Sequence, residues 1–236
     1  MLLILRNLAF YLIFYLISPI FIIGSVLVMY FSVPALKTIV RDWCQFHRWC
    51  LRVLVGIDVT IEGEIVDGPV FYAIRHESFF EAIDAPANFD FPAPFAKREL
   101  FLIPLWGWAA KVYGLVPVAR TDGAKALRAM VSAAKTLSAQ GRPLVIFPEG
   151  TRTPHGQAGK LQAGFAGLYK LIGIPVIPVA VNSGPLYHPF LKRPGTITYR
   201  FGEIIPPGLP RKEVEARVLA AINALNSPPT PETISE

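Results

Sequence analysis

The chain has 236 residues, 53% of them apolar and only 17% charged, with a mean hydropathy of +0.43. That balance excludes a disordered chain and is too lean in charge for an ordinary cytosolic enzyme. The length allows one large folded unit plus an anchor; 23 basic against 17 acidic residues give a net charge of +6 with no Lys/Arg run, which points to anionic lipid headgroups sooner than nucleic acid.

The segment Leu8–Phe31 carries no charge in 24 positions. As a helix it would reach about 36 Å, enough for a hydrocarbon core of about 30 Å. It is too long for a signal-peptide core and no small-x-small cleavage site follows, so residues 1–34 read as a membrane anchor, a helix or a helical hairpin. Ser18 and Pro19 sit in its middle, where a kink or a re-entrant turn would let it dip into one leaflet; the sequence leaves spanning and dipping both open. Arg6 alone precedes the segment, whereas Lys37, Arg41, Arg48 and Arg52 follow it, so the positive-inside bias places the remaining chain on the cytoplasmic side of an inner or cytoplasmic membrane.

On a helix over residues 35–55 those same four cations fall within about 60° of arc, opposite Ile39, Trp43, Phe46, Trp49, Val53 and Leu54. This reads as an amphipathic helix in the headgroup layer, or as a helix packed on the domain with a solvated basic face. Cys44 and Cys50 are the chain's two cysteines; on one helix they lie about 240° apart and cannot pair with each other, which suits a reducing compartment.

From residue 56 to 226, short apolar runs alternate with amphipathic helices, the signature of an α/β domain: a mixed sheet flanked by helices. Strands are expected at Val70–Ile74, Phe95–Glu99, Val116–Ala119, Leu144–Phe147, Val176–Val181 and Ile197–Phe201. Helices are expected at Ala124–Ala139, stopped by Gly141, and at Pro104–Val112, Phe165–Leu171 and Lys212–Leu225. Residues 227–236, SPPTPETISE, form a proline-rich polar tail expected to be disordered.

One histidine has chemical company. His76 follows the apolar run VFYAI in RHESFFEAID, where open α/β sheets place reactive groups, with Ser78 as a candidate helix cap and Glu77, Glu81 and Asp84 close by. If the helix starts just after His76, Glu81 can approach the ring across its first turn. Position 80 is Phe, so the HExxH zinc pattern is absent and no metal site is expected. A second cluster, FPEGTRT, brings Glu149, Gly150, Thr151 and Arg152 to another strand end, where the guanidinium fork suits a phosphate. GLVPVAR delivers Arg120, and KREL delivers Lys97. Glycine loops for nucleotides and a GxSxG serine elbow are both missing.

Taken together in this order, His76 with an acid five residues on, Gly114 to Arg120, FPEGTR from Phe147 to Arg152, and VIPVAV around Pro178 resemble the glycerolipid acyltransferase family, specifically 1-acylglycerol-3-phosphate O-acyltransferases, over Val70 to Val181. The resemblance implies transfer of a fatty acyl group from an acyl thioester, acyl-CoA or acyl-carrier protein as co-substrate and no other cofactor, to the free hydroxyl of lysophosphatidic acid, giving phosphatidic acid. It implies His76 as general base with Glu81 behind it, and Arg152, Glu149, Gly150, Thr151, Arg120 and Lys97 around the substrate. The family's usual acid is Asp; here it is Glu81, with Asp84 as the fallback, and Pro117, Val118 and Ala119 replace residues common before the Arg of the second block. Another lysolipid or glycerol 3-phosphate as acceptor, or a lipid-binding relative without turnover, are the alternatives.

Overall fold

The structure, a computed structural model, describes residues 1–118 and 123–226, with backbone alone for 123–126. Its centre is a seven-stranded sheet: β1 (Ile57–Glu62), β2 (Phe71–Ile74), β3 (Ala93–Lys97), β4 (Val116–Val118), β5 (Leu144–Ile146), β6 (Val176–Val181) and β7 (Gly195–Phe201), in spatial order β1-β7-β6-β2-β5-β3-β4. Neighbours run parallel except β6 and β7, so the sheet is mixed as expected. The central strands β2 and β6 are buried at every residue. They therefore read as unbroken apolar runs, as strands covered on both faces must. The edge strand β1 alternates Ile57, Val59 and Ile61 with polar residues and escaped the reading of the sequence.

Helices cover both faces. On one lie α5 (Gly123–Ala139), α6 (Ala163–Ile172) and α8 (Arg211–Ile222), whose Ala134, Phe165, Leu168, Val214 and Val218 share a core with Phe71 and Val176. The other holds α1 (Leu2–Val28), α2 (Val33–Cys50) with a wide helical turn to Val55, and α3 (Phe80–Asn88); there Phe10, Phe14, Leu51 and Phe80 pack with Tyr72, Ile177 and Tyr199. Two further helices, α4 (Trp106–Tyr113) and the single-turn α7 (Gly184–Tyr187), and a 3-10 turn over Arg98–Leu102 complete the described elements.

The N-terminal apolar segment is one helix, continuous through Pro19. The neighbouring Ser18 hydroxyl donates to Phe14 O at 2.7 Å and accepts the Trp43 indole N–H at 2.9 Å, tying α1 to α2 at that point. Ser32 caps α2 by accepting the Ala35 amide, so the two helices form a hairpin. The start of α1 is fastened to the domain: Asn7 pairs reciprocally with the Lys192 backbone at 2.9 and 2.7 Å, and Arg6 Nε donates to Leu54 O at 2.8 Å.

The basic stripe of α2 does not face outward as a unit. Arg48 turns to α3 and donates twice to the fully buried Asp84, at 2.6 and 2.7 Å, while Lys37 pairs with Asp90 at 2.5 Å. A buried carboxylate needs such a partner, and the cost of leaving Asp84 alone outweighs the hydration Arg48 gives up. Cys44 and Cys50 are both free thiols buried in α2.

At the junction of α1, α2 and the domain sits His47, fully buried, with Nε2 3.0 Å from the Tyr187 hydroxyl. Burial, with Lys192 and Arg48 nearby, lowers its pKa from 6.5 to about 3. The folded chain thus keeps the ring neutral while the unfolded chain protonates it first, so stability is complete above about pH 6.5 and falls as pH drops toward 3. Denaturant unfolding at pH 7 and pH 5 should show a loss of about 2 kcal/mol from this group, absent in His47→Gln. Equal pH slopes in parent and variant would contradict it.

Candidate active site

His76 leaves β2 two residues after its last paired strand position, and α3 begins four residues later. That short connection lets Glu81, on the first turn of α3, reach back under the ring: His76 Nδ1 lies 3.3 Å from Glu81 Oε2. Glu81 is fully buried and the imidazole is partly exposed. The ring stacks on Phe147 at 4.3 Å between centroids, which fixes its plane. With Nδ1 directed at the acid, Nε2 is the nitrogen free for chemistry, and the ring lines the main cavity. The fallback acid Asp84 is committed to Arg48 and takes no part. The cap position of α3 falls on Phe79, without a side-chain cap; Ser78, one residue earlier, accepts the Phe80 amide at 3.0 Å.

The FPEGTRT turn holds the backbone of His76 from the other side. Glu149 Oε2 accepts the His76 amide at 2.9 Å, and the Thr153 amide donates to His76 O at 2.8 Å. Glu149 is 1% exposed. Its carboxylate is spent on the His76 backbone and on Arg75, shaping the turn. Gly150 adopts φ +65° and lines the cavity, a conformation that favours glycine. Thr151 is exposed beside it.

Behind this turn is a residue the motif search passed over. Arg75, fully buried, donates to Glu77 Oε1 at 2.9 Å, Glu149 Oε1 at 3.3 Å, Asn223 Oδ1 at 2.5 Å and the carbonyl of Gln157 at 2.7 Å. Glu77 in turn faces His155 Nδ1 at 3.0 Å and accepts the Gly184 amide at 2.8 Å. A cation directly before the reactive histidine, at the end of a wholly apolar strand, was the available signal: it must find buried acids or the strand end must open.

The cavity encloses about 780 Å³. Phe21, Ile22, Val40 and Trp43 of the helical hairpin form one wall; Phe95, Ile146, Phe165 and Leu168 form the other. Among the polar residues that line it are His76, Arg152 and Lys97. The Arg152 guanidinium lies 4.2 Å over the Phe79 ring, and neither it nor Lys97 has a carboxylate partner among the described residues. Two exposed cations without acids on the same cavity can hold an anion. Arg120, the remaining sequence candidate, lies outside the described residues.

Residues 56–182, more than half of the chain and the span that contains both the histidine and the PEG turn, match the family model described as acyltransferase. A 1-acyl-sn-glycerol-3-phosphate acyltransferase of Pseudomonas aeruginosa is 31% identical over 205 residues, covering 85% of this chain and 78% of the relative. One of Helicobacter pylori is 33% identical over 112 residues, 46% of each chain. The crystal structure of a lysophosphatidic acid acyltransferase from Thermotoga maritima superposes with a TM-score of 0.74 at 23% identity, covering 95% of this chain and 98% of that one, a likeness of fold. By the family match over its central domain and the length of the bacterial alignment, the chain belongs to the acyltransferase family.

Proposed function

We propose that this acyltransferase moves a fatty acyl group from an acyl thioester to the free hydroxyl of 1-acylglycerol 3-phosphate, at a membrane surface. One observation carries the reading: a histidine backed by a buried acid opens its second ring nitrogen onto an apolar cavity that two cations without acid partners also line. His76 Nε2 takes the hydroxyl proton as the substrate oxygen attacks the thioester carbonyl; the tetrahedral oxyanion collapses, expels the thiolate, and the imidazolium returns the proton to the sulfur. Glu81 fixes the tautomer and balances the imidazolium. No acyl-enzyme is needed. Arg152 and Lys97 hold the phosphate so that the hydroxyl lies against the base. The names of the Pseudomonas and Helicobacter relatives favour this acceptor.

Membrane seating follows from the same chemistry, since acceptor and product are lipids. Leu5, Leu8, Leu12, Leu16, Ile20, Ile23 and Leu27 make an exposed apolar row along α1, and the opposite side of that helix roofs the cavity through Phe21 and Ile22. Leu102 is 81% and Trp108 57% exposed. Exposed apolar side chains on a chain of net positive charge suit the headgroup layer of an anionic bilayer. Because Asn7, Phe10 and Phe14 are packed into the domain, the helical hairpin lies along the catalytic unit and dips into the facing leaflet on the cytoplasmic side. The acyl-carrier thioester or acyl-CoA then arrives from water while the lysolipid arrives from the bilayer.

With lysophosphatidic acid and acyl-CoA in detergent, His76→Ala should lose about 10² to 10⁴ in kcat; activity within a few-fold of the parent would remove His76 from the mechanism. For Arg152→Ala the expected change is a rise of about tenfold in KM for the phosphate acceptor, with KM for the thioester little altered; an unaltered acceptor KM would contradict the phosphate contact. The double variant Leu102→Asp, Trp108→Ser should keep its detergent activity but transfer more slowly on vesicles containing phosphatidylglycerol, whereas equal rates on vesicles would exclude this surface from lipid contact.

A further inference from the structure

The two oxygens of Glu81 are used differently. Oε2 faces His76 and accepts the Ser78 amide at 3.2 Å, while Oε1 accepts the hydroxyl of Ser183. Ser183 stands between β6 and α7, 102 positions along the chain from Glu81, and is fully buried. Its hydroxyl also lies 2.7 Å from the Ser78 hydroxyl, which accepts the Phe80 amide. A carboxylate can only accept, so the directions are set: Phe80 N–H donates to Ser78, Ser78 O–H donates to Ser183, and Ser183 O–H donates to Glu81.

Serine just before a helix ordinarily turns its oxygen to the helix amides. Ser183 makes no such cap on α7, and its side chain is directed to the acid instead. Its neighbours have comparable duties: Asn182 accepts the Thr198 amide at 2.7 Å, and the Gly184 amide donates to Glu77, where a Cβ would come within 2.8 Å of the carboxylate. The strand VIPVAV thus contributes to the site by delivering Asn182, Ser183 and Gly184 behind the His76 segment.

We propose that Ser183 is a positioning residue for the reaction, locking the Glu81 carboxylate so that Oε2 stays on His76 Nδ1. The terminal torsion of a glutamate is broad and nearly two-fold, so an acid on this longer side chain does not hold its plane by itself. Ser183 pins the far oxygen, Ser78 the near one, and the rotation that would withdraw Oε2 from the ring is blocked. This inference rests on the reading of His76 as base and Glu81 as its orienting acid.

The test is a double-mutant cycle on the purified full chain in detergent, with lysophosphatidic acid and acyl-CoA, alongside thermal unfolding of each variant. Ser183→Ala should lower kcat by about tenfold with both KM values within twofold of the parent. In a Glu81→Ala background the same substitution should change kcat by less than about twofold, because the group it positions is gone. Parental kcat in Ser183→Ala, or an undiminished loss in the Glu81→Ala background, would overturn the proposal. Should Ser183→Ala fail to fold, Ser183→Cys, close in size and a weak donor, enters the same cycle with the same expectations. Glu81→Ala with parental kcat would instead refute the dyad itself, a result distinguishable from low activity in Glu81→Ala beside full activity in Ser183→Ala.

Discussion

Arg75 lies without solvent contact between Glu77 and Glu149, and removing the guanidinium leaves two buried carboxylates facing each other without their shared cation. The positions of the surrounding loops follow from that constraint. Glu149, held by the guanidinium, reaches the His76 amide; Glu77, held likewise, reaches the Gly184 amide and His155; and the guanidinium itself clasps the 154–157 loop and Asn223 after α8. The histidine is therefore set by its backbone from one side and by Glu81 from the other. Few side chains in the site are free to drift, which is what a base placed within hydrogen-bond reach of a substrate hydroxyl requires.

The large cavity gives the second half of the logic. Lipid acyl chains cannot be handled in water without a cost of about 0.8 kcal/mol for each exposed methylene, so an enzyme that works on them must offer an apolar enclosure continuous with the bilayer. Here the enclosure is made where the helical hairpin α1–α2 closes over the sheet, with Phe21, Ile22 and Trp43 on one wall and Phe165 and Leu168 on the other. The hairpin is consequently part of the active unit rather than a detachable tether. Its fastening by Asn7 to Lys192 and by Arg48 to Asp84 holds the cavity wall in place.

Much of this was legible in the chain. Six of the seven strands were legible, β2 and β6 as unbroken apolar runs because strands covered on both faces admit little else, and His76, Glu81 and Arg152 stood out by their chemistry. β1 was missed because an edge strand alternates with charge and resembles a loop. Glu149 lies beneath the His76 backbone; Ser183 went unnoticed, and nothing local tied Glu77, visible beside His76, to His155 or Gly184. These partners are 73 to 107 positions distant, and no local pattern announces a contact made across several strand connections. The basic stripe of α2 was visible, but that Arg48 would turn inward depended on Asp84, a carboxylate whose burial only the packed fold reveals.

The central claim concerns where a lysolipid sits, and a structure determined with 1-acylglycerol 3-phosphate bound addresses it most directly. The account predicts the free hydroxyl within about 3 Å of His76 Nε2 and the phosphate on the Arg152 guanidinium, with the acyl chain in the cavity beneath α1. A hydroxyl directed away from the imidazole, or a phosphate held elsewhere than at Arg152 and Lys97, would contradict it.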